Sequence, residues 1–225
     1  LQASILYLMT IFSLQHWMSR RAPFKLQLPM AAWNFSIALV SGVCVATMTP
    51  EFVDSVFNKG FGASLCSTRE SVYSGNNGRA LFVLLIARLP EFIDTLFIVL
   101  RKQPLIFLHY YHHAVTLCTA WFTYSSFSPG LRHAIYVNSI IHTVMYSYFI
   151  VTTLKFRPPP IVARCITIGQ IAQFAYLFYV TSHMTVIQKV LGEPCQSDDF
   201  GLGLTWAINI SYLYLFVDFY LNKYS

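Results

Sequence analysis

Residues 81–100 read LFVLLIARLPEFIDTLFIVL. The stretch is almost entirely apolar, and its length matches the ~20 apolar residues with which one helix crosses the hydrocarbon core of a bilayer. The exceptions are Arg88, Glu91 and Asp94, which are spaced by three and therefore share one helical face. Because charged side chains at membrane depth are costly, they normally face the inside of a helix bundle and mark a functional site. The stretch therefore predicts a transmembrane helix with a polar face turned toward other helices.

The rest of the chain has the same character. Of its 225 residues, 56% are hydrophobic and only 11% are charged, whereas about a quarter are charged in an ordinary soluble domain. Seven hydrophobic segments follow one another between clusters of Gly, Pro and Asn. They are residues 1–17, 31–50, 80–100, 104–124, 132–153, 160–183 and 202–221. We therefore expect an all-α, polytopic membrane protein with seven transmembrane helices, organised as one domain over residues 1–225.

The beginning of the chain is already apolar and starts at Leu1. It has neither the basic region nor the small-residue cleavage site of a secretory signal peptide. We therefore expect a first helix that is clipped, with the N-terminus of the protein missing.

Loop charge predicts the orientation in the membrane. The loops on one side carry nine basic and no acidic residues: Arg20, Arg21, Lys25, Arg101, Lys102, Lys155, Arg157, Arg164 and Lys223. The loops on the other side carry five basic residues diluted by six acidic ones. The basic side should be cytoplasmic, which places the C-terminus in the cytosol. Cys66 and Cys195 fall in two loops of the opposite side, where a secretory-pathway membrane permits a disulfide between them.

Polar side chains recur on one face of three further segments. They are His109, His112 and His113 in the fourth segment, Asn138, His142 and Tyr146 in the fifth, and Gln170 and Gln173 in the sixth. At ~1.5 Å of rise per residue they lie in overlapping layers, from the cytosolic half to the middle of the membrane. We expect a shared pocket that opens to the cytosol. Two alternatives stay open: Arg88 and Glu91 form an ion pair that only pins helices together, and the two glutamines only make interhelical hydrogen bonds.

Two kinds of chemistry suit a histidine-rich pocket inside a membrane. One is metal-centred oxidation, since His112 and His113 superficially match the HxxHH boxes of membrane di-iron desaturases and hydroxylases. Of the seven histidines in the chain only four lie in the cluster, which leaves a di-iron centre short of ligands. The other is nucleophilic and general-base catalysis by imidazole. A seven-helix receptor needs no such stripe of histidines, and a channel should be polar along its whole path.

Four motifs occur in order along the chain: RxxExxDTxFxVLRK at 88–102, FLHxYHH at 107–113, NxxxHxxMYxYF at 138–149 and TxxQxxQ at 167–173. With these motifs the chain resembles the ELO family of very-long-chain fatty acid elongases over nearly its whole length. Arg88 stands where the family usually has Lys, which keeps the charge but changes the donor geometry. The family's C-terminal dilysine retrieval signal is absent, and we attribute this to a truncation after Ser225. Pro90-Glu91 and Tyr110-Tyr111 resemble more closely the branch acting on saturated and monounsaturated chains of C16–C18.

The resemblance implies a seven-helix protein of the endoplasmic reticulum membrane in which six helices enclose a substrate tunnel. Members of the family condense acyl-CoA with malonyl-CoA, releasing CO2 and CoA and forming 3-ketoacyl-CoA, without a metal or prosthetic group. The implied partners are the two CoA thioesters, the lipid bilayer, and a separate ketoacyl-CoA reductase, dehydratase and enoyl-CoA reductase. A homodimer is left open, and no nucleic acid is expected.

Within this resemblance we assign a role to each polar residue of the cluster. His112 is the expected nucleophile, forming an acyl-imidazole in a ping-pong reaction, with Asp94 or Glu91 holding its other ring nitrogen. His142 and Asn138 are expected to stabilise the enolate oxygen. His109 and His113 are expected to orient rings or handle protons. The expected substrate-binding residues are Arg88, Arg101, Lys102, Tyr146, Lys155, Arg157, Arg164, Gln170 and Gln173. The alternative is a ternary complex in which the imidazoles act only as bases.

Overall fold

The computed structural model describes residues 1–224 except Pro194 and Gln196. The helices are α1 (Gln2–Met18), α2 (Gln27–Val53), α3 (Phe61–Leu65), α4 (Arg69–Tyr73), α5 (Gly75–Ala87), α6 (Phe92–Leu100), α7 (Phe107–Ser125), α8 (Gly130–Thr153), α9 (Pro160–Thr185) and α10 (Asp199–Tyr224). The π-helical turns Asp54–Asn58 and Val186–Val190 continue α2 and α9. The described residues contain no β-strand, so the all-α prediction is confirmed.

Each predicted hydrophobic segment lies on helical structure, and six of the seven correspond to one helix each. Among the described residues, four helices are long and apolar enough to cross a membrane: Gln27–Asn58, Gly130–Thr153, Pro160–Val190 and Asp199–Tyr224. The chain is therefore a multi-pass membrane protein, whereas the count of seven spans stays a prediction.

The third predicted segment, residues 80–100, is not one helix but two. The chain leaves α5 at Ala87 and re-enters a helix at Phe92. Pro90 lies in this interval, and proline within a helix removes one backbone donor and clashes with the carbonyl of the preceding turn. The backbone there tightens into i→i+3 hydrogen bonds, such as Arg88 N to Leu85 O at 3.2 Å. This break turns Arg88 and Glu91 inward, where both are buried.

The helices form a bundle around a central space. In it α2 packs along α8, α10 packs along α9, and α8 packs along α9. By contrast, α1 lies against α6 and α7 and contributes no residue to the lining of the central cavities. The central space is thus enclosed by six of the seven hydrophobic segments.

The two ends of the bundle differ in chemistry. One end, called here the disulfide end, contains the bond between Cys66 and Cys195, whose Cα atoms are 4.5 Å apart, so this predicted pairing is confirmed. There Arg132, fully buried, forms an ion pair with Glu51 at 2.5 Å and donates to the backbone carbonyl of Ser64 in α3. The opposite end, called the basic end, carries the loops rich in Arg and Lys.

Candidate active site

Two cavities lie one after the other along the bundle. The larger, about 580 Å³, extends from the histidines toward Arg101 and Lys223 at the basic end. The smaller, about 140 Å³, extends from His112 toward Leu202 near the disulfide end. Four residues line both cavities: His112, Asn138, Gln173 and Phe174. The two cavities therefore adjoin one another at His112, and together they are called the passage here.

The three histidines of α7 lie side by side, as their spacing predicts. The rings of His109 and His113 are 4.5 Å apart, and those of His112 and His113 are 5.6 Å apart. All three line the larger cavity, and His142 on α8 lines it as well. The four clustered histidines therefore surround one space, which can accommodate a reacting group.

The break between α5 and α6 places the charged side chains of Arg88 and Glu91 close to Asn138 and His142. Arg88 donates from Nη1 to Glu91 Oε2 at 3.0 Å and from Nη2 to Asn138 Oδ1 at 2.7 Å. The other carboxylate oxygen, Glu91 Oε1, lies 3.6 Å from Nδ1 of His142. Since Asn138 accepts through its carbonyl oxygen, its amide N–H groups remain as donors toward the cavities that it lines.

Asp94 has a different set of partners. Its Oδ1 accepts from the indole N–H of Trp33 on α2 at 2.6 Å, and its Oδ2 accepts from the hydroxyl of Tyr146 on α8. Asp94 therefore links α6 to two other helices. Both carboxylate oxygens are held by donors that do not belong to a histidine.

The surroundings of His112 differ from the expected arrangement. No hydrogen bond joins its ring to Glu91 or Asp94 in the described part of the chain. Its neighbours are aromatic instead: the ring of Tyr212 lies at 5.1 Å and that of Phe216 at 6.2 Å. Tyr212 also donates to the backbone carbonyl of His112 at 3.2 Å.

Sequence reasoning did not include α10 among the helices of the site. A signal was present, because Asn209, Tyr212 and Phe216 are spaced by three and four and share one helical face. All three are buried. Aromatic residues in an apolar segment are ordinarily assigned to packing. The sequence pattern therefore did not distinguish Tyr212 and Phe216 from the other apolar residues of α10.

Comparison with known proteins places this arrangement in a family. The model of the ELO family, described as the GNS1/SUR4 family, matches residues 1–225. The chain belongs to the ELO family. It is 38% identical over 225 residues to long chain fatty acid elongase 1 of Caenorhabditis elegans, covering 100% of this chain and 77% of that protein. Human very long chain fatty acid elongase 6 is 32% identical over 222 residues, covering 98% of this chain and 82% of that protein.

A further relative gives the same assignment. Very long chain fatty acid elongase 6 of Drosophila melanogaster is 34% identical over 220 residues, covering 97% of this chain and 70% of that protein. The similarity to each of these ELO proteins covers all four motifs, because it extends over nearly the whole chain.

The two glutamines of the last ELO motif both face the passage. Gln170 lines the larger cavity and donates to Met145 Sδ at 3.2 Å. Gln173 lines both cavities, and its buried Oε1 has no hydrogen-bond partner among the described residues. A buried acceptor without a partner is costly, so Gln173 is suited to accept a hydrogen bond from a bound substrate.

The predicted basic residues divide into three groups. Arg101 lines the larger cavity, and so does Lys223, which had been predicted only as a topology signal. Lys102 instead donates to the carbonyls of Ser19 and Arg21 at 3.2 and 3.1 Å, which fastens the end of α1. Three others are exposed and do not line either cavity: Lys155, Arg157 and Arg164. Their contact with a substrate stays a prediction.

A metal ion requires several His, Cys, Asp or Glu ligands grouped around one point. Among the described residues, no three His, Cys, Asp or Glu side chains are grouped as a metal ion would require. The carboxylates nearest the histidines are already bound to Arg88, Trp33 and Tyr146. The expectation that the reaction uses no cofactor stays a prediction.

Proposed function

We propose that this ELO-family chain is a fatty acid elongase that condenses an acyl-CoA with malonyl-CoA to give 3-ketoacyl-CoA, CO2 and free CoA. The observation that carries this proposal is the passage with His112 at its junction. At one end it carries the cations Arg101 and Lys223, which suit a polyanionic CoA. Toward the other it is lined by Leu177, among other apolar residues, which suit an acyl chain. The thioester between these two parts would then lie beside the histidines.

The first step is transfer of the acyl group to the enzyme. A ring nitrogen of His112 attacks the thioester carbonyl, the carbon–sulfur bond breaks, and CoA leaves as a thiol with the proton that the imidazole loses. The product is an acyl-imidazole on His112. Because no carboxylate of the described residues bonds to this ring, its orientation depends on the wall formed by Tyr212 and Phe216. An apolar passage also excludes the water that would hydrolyse the acyl-imidazole.

The second step joins the two carbon chains. Malonyl-CoA loses CO2, and the electron pair of the broken bond forms the enolate of acetyl-CoA. The enolate carbon attacks the acyl group and the bond to His112 breaks. The imidazole then takes up from the solvent the one proton that the overall condensation consumes. The amide N–H groups of Asn138 and the ring of His142 are the donors assigned to the enolate oxygen.

The cellular setting belongs to the same proposal. The net charge of +6 and the basic loops favour a cytosolic basic end and C-terminus, in the endoplasmic reticulum membrane. The 3-keto product requires a ketoacyl-CoA reductase, a dehydratase and an enoyl-CoA reductase, which we propose as neighbours in that membrane. A preference for C16–C18 chains is part of the proposal, and a homodimer is compatible with it.

A direct test uses purified protein, labelled malonyl-CoA and a panel of acyl-CoAs. The wild type should form labelled 3-ketoacyl-CoA, and His112→Ala should abolish it. His16→Ala is the matched control, because His16 is exposed near the end of α1 and lies outside the passage. Chelators should leave the wild-type rate unchanged. A rate that is lost on chelation and restored by iron would refute the proposal in favour of an oxidase.

A further inference from the structure

A chain of hydrogen bonds connects α1, which does not line the passage, to the histidines that do. The hydroxyl of Tyr7 lies 2.8 Å from Thr95 Oγ1, and Thr95 Oγ1 lies 2.9 Å from Nε2 of His109. Tyr7 is 5% exposed and Thr95 is 0% exposed. The Tyr7 ring stacks on Phe92 with the centroids 4.1 Å apart. Three helices, α1, α6 and α7, thus each contribute one member of a buried polar chain that ends at the site.

The direction of the two hydrogen bonds follows from counting donors. If Nε2 of a neutral His109 donated to Thr95, two arrangements would be possible: Thr95 could donate to Tyr7, which leaves the phenolic hydrogen without an acceptor, or Thr95 could accept from both residues, which leaves its own hydrogen without one. No other acceptor for the Tyr7 hydroxyl lies within hydrogen-bond distance in the described part of the chain. A buried donor without a partner is costly. The reverse order satisfies every hydrogen: Tyr7 donates to Thr95, and Thr95 donates to Nε2 of His109.

This order determines which ring nitrogen of His109 carries the proton. When Nε2 accepts, the neutral ring is protonated at Nδ1. The described residues place no hydrogen-bond acceptor at Nδ1, and His109 lines the larger cavity. An N–H donor of fixed orientation therefore remains available to a molecule in that cavity, in the same layer as His112.

We propose that Tyr7 is a positioning residue for the condensation: through Thr95 it holds His109 in the tautomer whose Nδ1–H donates to the thioester carbonyl oxygen. The inference rests on the proposed function, because the thioester is its acceptor. It gives His109 the role of a donor to developing negative charge on oxygen, distinct from the nucleophilic role of His112. It also gives α1 a function in catalysis, although this helix lies outside the passage.

The test compares initial rates of Tyr7→Phe, Thr95→Val and Thr95→Ser. Tyr7→Phe keeps the ring stacked on Phe92 and should lower kcat by about 3- to 10-fold, the rate equivalent of one ordinary hydrogen bond. The KM for acyl-CoA should change little, because the lost effect arises as charge develops. Thr95→Val removes the hydroxyl that His109 requires and should lower kcat by about 10-fold or more. Thr95→Ser keeps that hydroxyl and should therefore retain most of the wild-type kcat.

Two variants control for the substitutions themselves. Tyr110→Phe removes a phenolic hydroxyl from the same packed cluster of α1, α6 and α7, and Thr10→Val removes an exposed hydroxyl that bonds only to the carbonyl of Leu6. Both should keep the wild-type kcat. Thermal unfolding of all variants separates a loss of rate from a loss of folded protein.

Combining the substitutions distinguishes positioning from packing. In a Thr95→Val background the link to His109 is already cut, so Tyr7→Phe should have no further effect on kcat. Full additivity of the two losses would overturn the proposal, as would a wild-type kcat for Tyr7→Phe. A wild type that forms no 3-ketoacyl-CoA would refute the proposed function, and with it the acceptor assigned to His109.

Discussion

Removal of the Arg88 guanidinium should destabilise the protein more than removal of the whole Arg88–Glu91 pair. Both side chains are buried, and Arg88 donates to Glu91 at 3.0 Å and to Asn138 at 2.7 Å. Arg88→Met keeps the length of the side chain but leaves the Glu91 carboxylate buried without its counter-ion. Breaking a buried pair in this way costs about 3–5 kcal/mol. For a chain of this size each kcal/mol lowers Tm by about 2–4 °C, so we expect a decrease of about 6–20 °C.

The double variant Arg88→Met/Glu91→Gln removes both charges together. Replacing a complete buried pair by neutral groups is often close to neutral for stability. The remaining cost is the hydrogen bond to Asn138, about 1 kcal/mol, so Tm should lie within about 2–4 °C of the wild type. The rate should not recover, because the double variant has lost the carboxylate that lies 3.6 Å from the His142 ring. We expect condensation to stay at least about 100-fold below the wild type.

Thermal unfolding in detergent, followed by fluorescence of the four tryptophans, gives the stabilities, and labelled malonyl-CoA gives the rates. Arg79→Met is the matched control, since Arg79 is an exposed arginine of α5, the helix that ends just before Arg88, and should change stability by less than about 0.5 kcal/mol. A double variant as unstable as Arg88→Met would refute the account of a buried unpaired charge. A double variant that recovers both stability and activity would show that the pair only pins helices together.

Three further predictions concern the ends of the passage and the order of the reaction. Cys66→Ser should lower the free energy of unfolding by about 2–5 kcal/mol. In intact membranes, neither cysteine of the disulfide should react with a thiol reagent until reductant is added. Labelling of either cysteine from the cytosolic face would show that the proposed topology is inverted. Arg101→Met should raise the KM for acyl-CoA, whereas Lys25→Met, an exposed basic residue outside the cavity lining, should not; equal effects would assign the attraction to general surface charge. With acyl-CoA alone, the wild type should release CoA in a burst of at most one equivalent per site, because the acyl group stays on His112. If a protein with acyl-CoA bound releases no CoA, His112 is not the nucleophile and can act only as a base.

Much of the fold could be predicted from local sequence patterns. Six of the seven predicted hydrophobic runs correspond to one helix each, because a backbone in lipid has to satisfy its hydrogen bonds within its own segment. Helical periodicity also placed His109, His112 and His113 on one face, since residues three and four apart are neighbours on any α-helix. Even the Cys66–Cys195 pairing was accessible, because loop charge assigned both cysteines to the same side.

Other features depend on which helices meet, and local patterns carry no information about that. Apolar length alone does not distinguish α1, which lies outside the passage, from the segments that enclose it. Asp94 is bound by Trp33 and Tyr146 from two different helices, so its partners could not be derived from its own segment. Proline interrupts a helix by local chemistry alone, but only packing decides that the break at Pro90 turns Arg88 and Glu91 into the bundle.

The sequence by itself thus determined six of the long helices, the polar faces of the third to sixth segments and the family of the protein. Tertiary structure decided which polar faces converge, that the two cavities meet at His112, and that Tyr7 of the outer helix reaches His109 through Thr95. The physical reason is one of range: helix formation and amphipathicity arise within a few residues along the chain. A hydrogen bond between helices, such as the one joining Tyr7 to Thr95 across 88 residues of sequence, exists only after the helices have packed.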